Sequence, residues 1–159
     1  SAQITNKTLI ESIAQINHFY ILSTGMMNWI MLDEVVNVLE KHNLKYALLH
    51  CISTYPAPHD ELNLSVIPEM KKRYGCVVGY SGHEYDLEPS VLAVAMGAQI
   101  IERHITLSHE MWGTDQKSSL EIHAMDLLHK RMRDVKKIVG VPEKIITDSE
   151  KPILKKLRG

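Results

Sequence analysis

Four apolar runs punctuate the chain: FYILS at 19–23, YALLHC at 46–51, CVVGY at 76–80 and AQIIE at 98–102. They start about 20 to 30 residues apart and alternate with stretches of helical periodicity, the rhythm of strand–helix units on a parallel sheet. In KTLIESIAQI (7–16), Leu9, Ile10, Ile13 and Ile16 form one stripe, and Asn6 stands before it as a cap. MLDEVVNVLE (31–40) puts Val35, Val36 and Leu39 on one side. SVIPEMKKR (65–73) predicts a helix capped by Ser65, with Pro68 still in its first turn. A short Ala-rich helix is predicted from Pro89 to Gly97. A longer helix is predicted over about 121–139, with Ser118 and Glu121 spaced as a capping box and Gly140 and Pro142 as the stop. One helix followed by four strand–helix pairs is half of an eight-stranded βα barrel, or part of an open doubly wound sheet.

Composition narrows the classes. At 159 residues, with 45% apolar and 23% charged side chains, the chain suits one globular unit with a real core. A formal net charge of -1 gives no argument for nucleic acid or an anionic membrane as partner. No apolar run approaches the length of a membrane span, and SAQITNKTLI lacks the basic start and apolar centre of a signal peptide. Cys51 and Cys76 lie in strand-like runs and make no CxxC pair, so they read as buried thiols of a reducing cytoplasm. No GxGxxG or GxxxxGK[ST] follows a strand, which argues weakly against the usual nucleotide-binding folds. The polar opening at Ser1 and the charged closing KPILKKLRG predict a piece of something longer.

The chemistry sits at the strand ends: STGM (23–26), HCISTYPAP (50–58), SGHEYD (81–86) and ERHITL (102–107), with GTDQK (113–117) just beyond. In a barrel these emerge on one rim. Neighbouring strands lie about 5 Å apart, so His83 and His104, at equivalent places on consecutive units, could share a divalent metal such as Mn, Fe, Co or Zn. The plainer reading is two hydrogen-bonded loop histidines. Glu102 lies two residues before His104 and therefore shares its face, as a catalytic carboxylate or as half of an ion pair. Arg103, between them, is expected toward the outer helical layer or the rim. Ser1, Ser23, Ser53 and Ser81 each follow a real or implied strand, where a ring of hydroxyls can hold a phosphate, although singly each is a turn residue. Asp115 reads as a turn residue, His50 as a core histidine, and Glu84 and Asp86 as solvated loop acids.

In order and spacing, STGM, LLHCISTYPAP, GYSGHEYD, MGAQIIERHITL and GTDQK resemble the sialic acid (N-acetylneuraminate) synthase family, above all in GYSxH and IERH with 20 residues between the histidines. The resemblance implies a TIM-type (β/α)8 barrel, of which residues 1–140 hold roughly strands five to eight. Residues 141–159 then lead toward an antifreeze-like C-terminal domain. It implies condensation of phosphoenolpyruvate with an N-acylated amino sugar, such as N-acetylmannosamine, to a nonulosonic acid, releasing phosphate. His83 and His104 match the family's metal-binding histidines, for Mn2+ first and Mg2+ or Co2+ next, and Glu102 matches an acid of the catalytic centre. Ser1, Ser23 and Ser81 match residues lining the phosphoenolpyruvate site. Ser53 stands where some members have Asn, and Gly82 where many have Asp. Tyr55 and Asp115 match residues that contact the acceptor sugar. A homodimer is implied for the full-length protein, and little activity for these residues alone. The other readings are a metal-dependent barrel hydrolase and a non-catalytic ligand-binding or scaffold module.

Overall fold

The computed structural model describes residues 2–16 and 18–159, with Lys7 described by its backbone alone. Helix α1 (Lys7–Ala14) begins where the Asn6 side chain accepts the Leu9 N–H at 3.1 Å, as its position predicted. Strand β1 (Phe19–Ser23) leads into α2 (Trp29–Lys41), which Asn28 caps through the Met31 N–H at 3.0 Å. Then follow β2 (Lys45–Cys51), α3 (Val66–Tyr74), β3 (Val77–Gly82), α4 (Glu88–Ala95) and β4 (Ile101–Arg103). Gly75, at φ 61°, ends α3 in the left-handed region that a side chain would disfavour. Short strands β5 (Ile105–Thr106) and β6 (Leu120–Glu121) pair in parallel ahead of α5 (Ile122–Val139), and α6 (Glu150–Arg158) closes the chain.

The first four strands form one parallel sheet in the order β1-β2-β3-β4, a half-barrel in which each crossover carries a helix. Residues facing the helices make the core: Leu48, Val78 and Tyr80 pack with Leu32 and Val36 of α2, Ile67 and Met70 of α3, and Ala93 of α4. Full burial of such side chains contributes about 1.5–3 kcal/mol each, so this face holds the unit together. The opposite face carries Ser23, Leu49, Cys51, Ser81 and Glu102, aligned by the registers Ser23↔Leu49, Cys51↔Ser81 and Ser81↔Glu102. Gly79 permits close strand approach there, since a Cβ would meet the Ile100 carbonyl at 2.4 Å. Among the described residues no helix is long and apolar enough to cross a membrane.

Several local expectations change. Strand β3 runs on through Ser81 and Gly82, because both keep register partners on β4. Strand β4 starts at Ile101 rather than near residue 98, because the Ala98 N–H returns to Ala93 of α4. Ser65 is already helical and makes no side-chain cap. The Ser118–Glu121 capping box does not form: the Ser118 hydroxyl donates to the Asp115 carbonyl, and the Glu121 carboxylate accepts the His109 N–H.

Candidate active site

Strand alternation sends Ser81 and His83 to the inner face of β3, and Glu102 and His104 to that of β4. The Ser81 hydroxyl donates to Glu102 Oε1 at 2.7 Å, and Ser23, two strands away, reaches the same oxygen at 3.4 Å. A carboxylate held by hydroxyls at the mouth of a parallel sheet is fixed in direction yet exposed for contact with a ligand.

The His83 ring is buried, with Nδ1 2.8 Å from the Ile52 carbonyl oxygen. A carbonyl only accepts, so Nδ1 carries the proton and the Nε2 lone pair is left to bind. Cys51 Sγ lies 3.9 Å from the same nitrogen. His104 Nδ1 stands 3.5 Å from Asp115 Oδ2. The two imidazole centroids are 5.1 Å apart and nearly perpendicular. Tyr55 lies against both, 4.2 Å from the His83 ring and 5.7 Å from that of His104. Burial first, and then the electrostatic influence of neighbouring Cys51, Asp115 and Glu102, pushes the Tyr55 hydroxyl above its ordinary pKa.

His83, His104, Tyr55 and Asp115 thus form one cluster, and Ser23, Ser81 and Glu102 another beside it. Ser53 follows on the same strand end: its Oγ is 3.7 Å from Cys51 Sγ, itself on the inner face, and lies beside Gly25, where a Cβ would meet it at 2.0 Å. Ser1 lies outside the described residues. His50 occupies the core side, with Nε2 2.7 Å from the Leu62 carbonyl oxygen, and burial lowers its pKa. A cleft of about 560 Å³ is bounded by Thr24, Met27, Trp29, His50, Ser53 and Met70, to one side of the paired histidines. The convergent polar groups, rather than the volume, mark the chemistry.

Two neutral imidazole nitrogens suit a borderline divalent metal. Among the described residues no three His, Cys, Asp or Glu side chains gather as a complete ligand set.

Glu84 departs from expectation. It is fully buried rather than solvated, and its Oε1 lies 2.9 Å from Arg103 Nη1. Tyr80 donates to Glu84 Oε2 at 2.8 Å and Ser90 to Oε1 at 3.3 Å. Burial pulls the Arg103 guanidinium below its ordinary pKa, and the Glu84 charge opposes that shift. The outward direction of Arg103 followed from alternation; its partner could have been sought two residues beyond Gly82, on the same face. Asp86 is half-exposed and pairs with His59 at 3.1 Å.

A model of the NeuB family matches residues 1–144. N,N'-diacetyllegionaminic acid synthase of Campylobacter jejuni subsp. jejuni serotype O:2 is 40% identical over 153 residues, covering 94% of this chain and 46% of that protein. N-acetylneuraminate-9-phosphate synthase of Homo sapiens is 34% identical over 158 residues, covering 99% of this chain and 44% of that one. The crystal structure of N-acetylneuraminic acid (sialic acid) synthetase from Leptospira borgpetersenii serovar Hardjo-bovis, in complex with citrate, superposes with a TM-score of 0.86 at 33% identity. That match covers 99% of this chain and 56% of the other. The chain spans about half the length of the curated relatives it matches.

Proposed function

The chain belongs to the NeuB family, and we propose that the whole protein condenses phosphoenolpyruvate with an N-acylated amino sugar to give a nonulosonic acid and phosphate. The four parallel strands would be strands five to eight of its (β/α)8 barrel. The observation that carries the reading is the placement of the His83–His104 pair beside the Ser23–Ser81–Glu102 cluster on one rim.

Carbon 3 of phosphoenolpyruvate forms the new bond to the sugar's aldehyde carbon, whose carbonyl oxygen takes up a proton. Positive character at carbon 2 is met by water, and phosphate leaves by C–O cleavage. Glu102 lies where it could balance that charge or move the water proton. Ser23, Ser53 and Ser81, with Ser1, would hold the phosphate end. Tyr55 and Asp115 would orient the sugar. His83 and His104 would hold a divalent metal, Mn2+ first and Mg2+ or Co2+ next, whose Lewis acidity polarises a carbonyl oxygen. The intact protein would work as a homodimer, and residues 1–159 alone would have little activity.

The test is an assay of the intact protein for product formed from phosphoenolpyruvate and N-acetylmannosamine, or a related N-acylated sugar. His83→Ala with His104→Ala should abolish both turnover and metal content. Unchanged turnover and metal content in that variant would overturn the assignment. Ester or amide hydrolysis without carbon–carbon bond formation would favour the hydrolase reading, and metal binding with neither activity the scaffold reading.

A further inference from the structure

Each histidine of the candidate site has a charged neighbour in the chain that points the other way. Glu84 follows His83, and Arg103 precedes His104. On the inner side the rings face each other; on the outer side Arg103 and Glu84 form an ion pair whose side chains are 1% and 0% exposed. Arg103 stands in register with Gly82, and the Glu84 carboxylate occupies the space a side chain at 82 would need, 2.8 Å from its Cβ. The guanidinium does more than pair. Nη2 donates to the Glu84 carbonyl at 2.5 Å, and Nη1 to the Asp86 carbonyl and to Ser90 Oγ, both at 3.0 Å. One fork therefore ties the end of β4 to the turn after β3 and to the first turns of α4.

A buried ion pair seldom adds stability over apolar side chains of the same volume, whereas its fork geometry sets register and rotation. His104 is one-third exposed; its ring meets Asp115 at 3.5 Å and the Tyr55 and His83 rings at 5.7 and 5.1 Å, and its backbone directly follows the residue that the guanidinium contacts anchor. We infer that the Glu84–Arg103 pair, admitted by Gly82, positions His83 and His104 so that their free nitrogens face one ligand. Glu84 and Arg103 are positioning residues, acting from the opposite side of the strands. The inference rests on the reading of the histidines as ligands to one divalent metal.

The discriminating variant is the apolar pair Glu84→Leu/Arg103→Met in the intact protein, beside Glu84→Gln. Cobalt(II) titration followed by visible absorption reads the affinity, and imidazole nitrogen NMR of the metal-free protein reads the ring of His83. Positioning predicts that the apolar pair melts close to the wild type yet binds Co2+ about tenfold or more weakly. It also predicts loss of the single Nδ1–H form of His83. A purely structural role predicts that the apolar pair keeps Co2+ affinity within about twofold and the wild-type ring signals, and that result overturns the inference. Should His83→Ala leave Co2+ affinity unchanged, the metal reading fails by itself, and the ring signals alone then support or overturn the positioning role. If Glu84→Gln does not fold, the apolar pair carries the same two outcomes.

Discussion

Ser81 with Glu102 and Gly82 with Arg103 are successive register pairs of the same two strands, yet the first ends in an exposed carboxylate and the second is sealed. On the inner side a carboxylate is held by two hydroxyls and left exposed. On the outer side a carboxylate is enclosed by a guanidinium, a phenol and a hydroxyl. The same charged group is left open on one face and enclosed on the other. Burial decides between them: an exposed carboxylate can exchange partners for a ligand, and an enclosed one cannot without leaving a charge unpaired.

The comparison can be broken hardest from the sealed side. Arg103→Ala leaves Glu84 buried without its cation, and thermal or urea unfolding should show a loss of about 3–5 kcal/mol. On the open side Glu102→Gln should hardly move the melting curve. It should cut turnover of the intact protein by about 10²–10⁴, read as kcat under saturating substrates. A large stability loss with normal turnover in that variant would reverse the roles assigned to the two faces. Gly82→Ala tests how tightly the outer side is filled. Its Cβ would lie 2.8 Å from Glu84 Oε2 and from Tyr80 Cε1, so overpacking should destabilise by about 1–3 kcal/mol in the same unfolding assay.

The smallest effect concerns pH. His50 also lies on the helix-facing side, near the Tyr80 ring, and burial lowers its pKa from the usual 6.5. The unfolded chain then takes up the proton first, so this contribution to stability is complete above about pH 6.5 and is lost as the pH falls toward the folded value. Urea midpoints should drop between about pH 8 and pH 5, and His50→Gln should flatten that limb. An unchanged slope would place the acid sensitivity elsewhere.

Much of the frame was legible in the residues. Local signals act over three or four positions, so Asn6 and Gly140 mark helix ends wherever the chain goes. The cap signals at Ser65 and Ser118 misled for the converse reason. Each hydroxyl had a competing local geometry, Ser65 inside a helical turn and Ser118 under the Asp115 carbonyl. Glu84 misled most, because a charged residue after a strand normally stays in water, and only a partner 19 residues away can draw it inside.

The sequence by itself determined the alternation of strands and helices and the pairing of GYSxH with IERH, since both are written in local period and spacing. It also set which of two adjacent residues faces in and which faces out, because side chains alternate along a strand. Tertiary structure alone decided what each met there: Ser23 and Ser81 sharing one oxygen of Glu102, Ser53 lying against Cys51, and Arg103 closing on Glu84. Those outcomes depend on the distance between strands and on the space glycine leaves at position 82, which no single segment specifies.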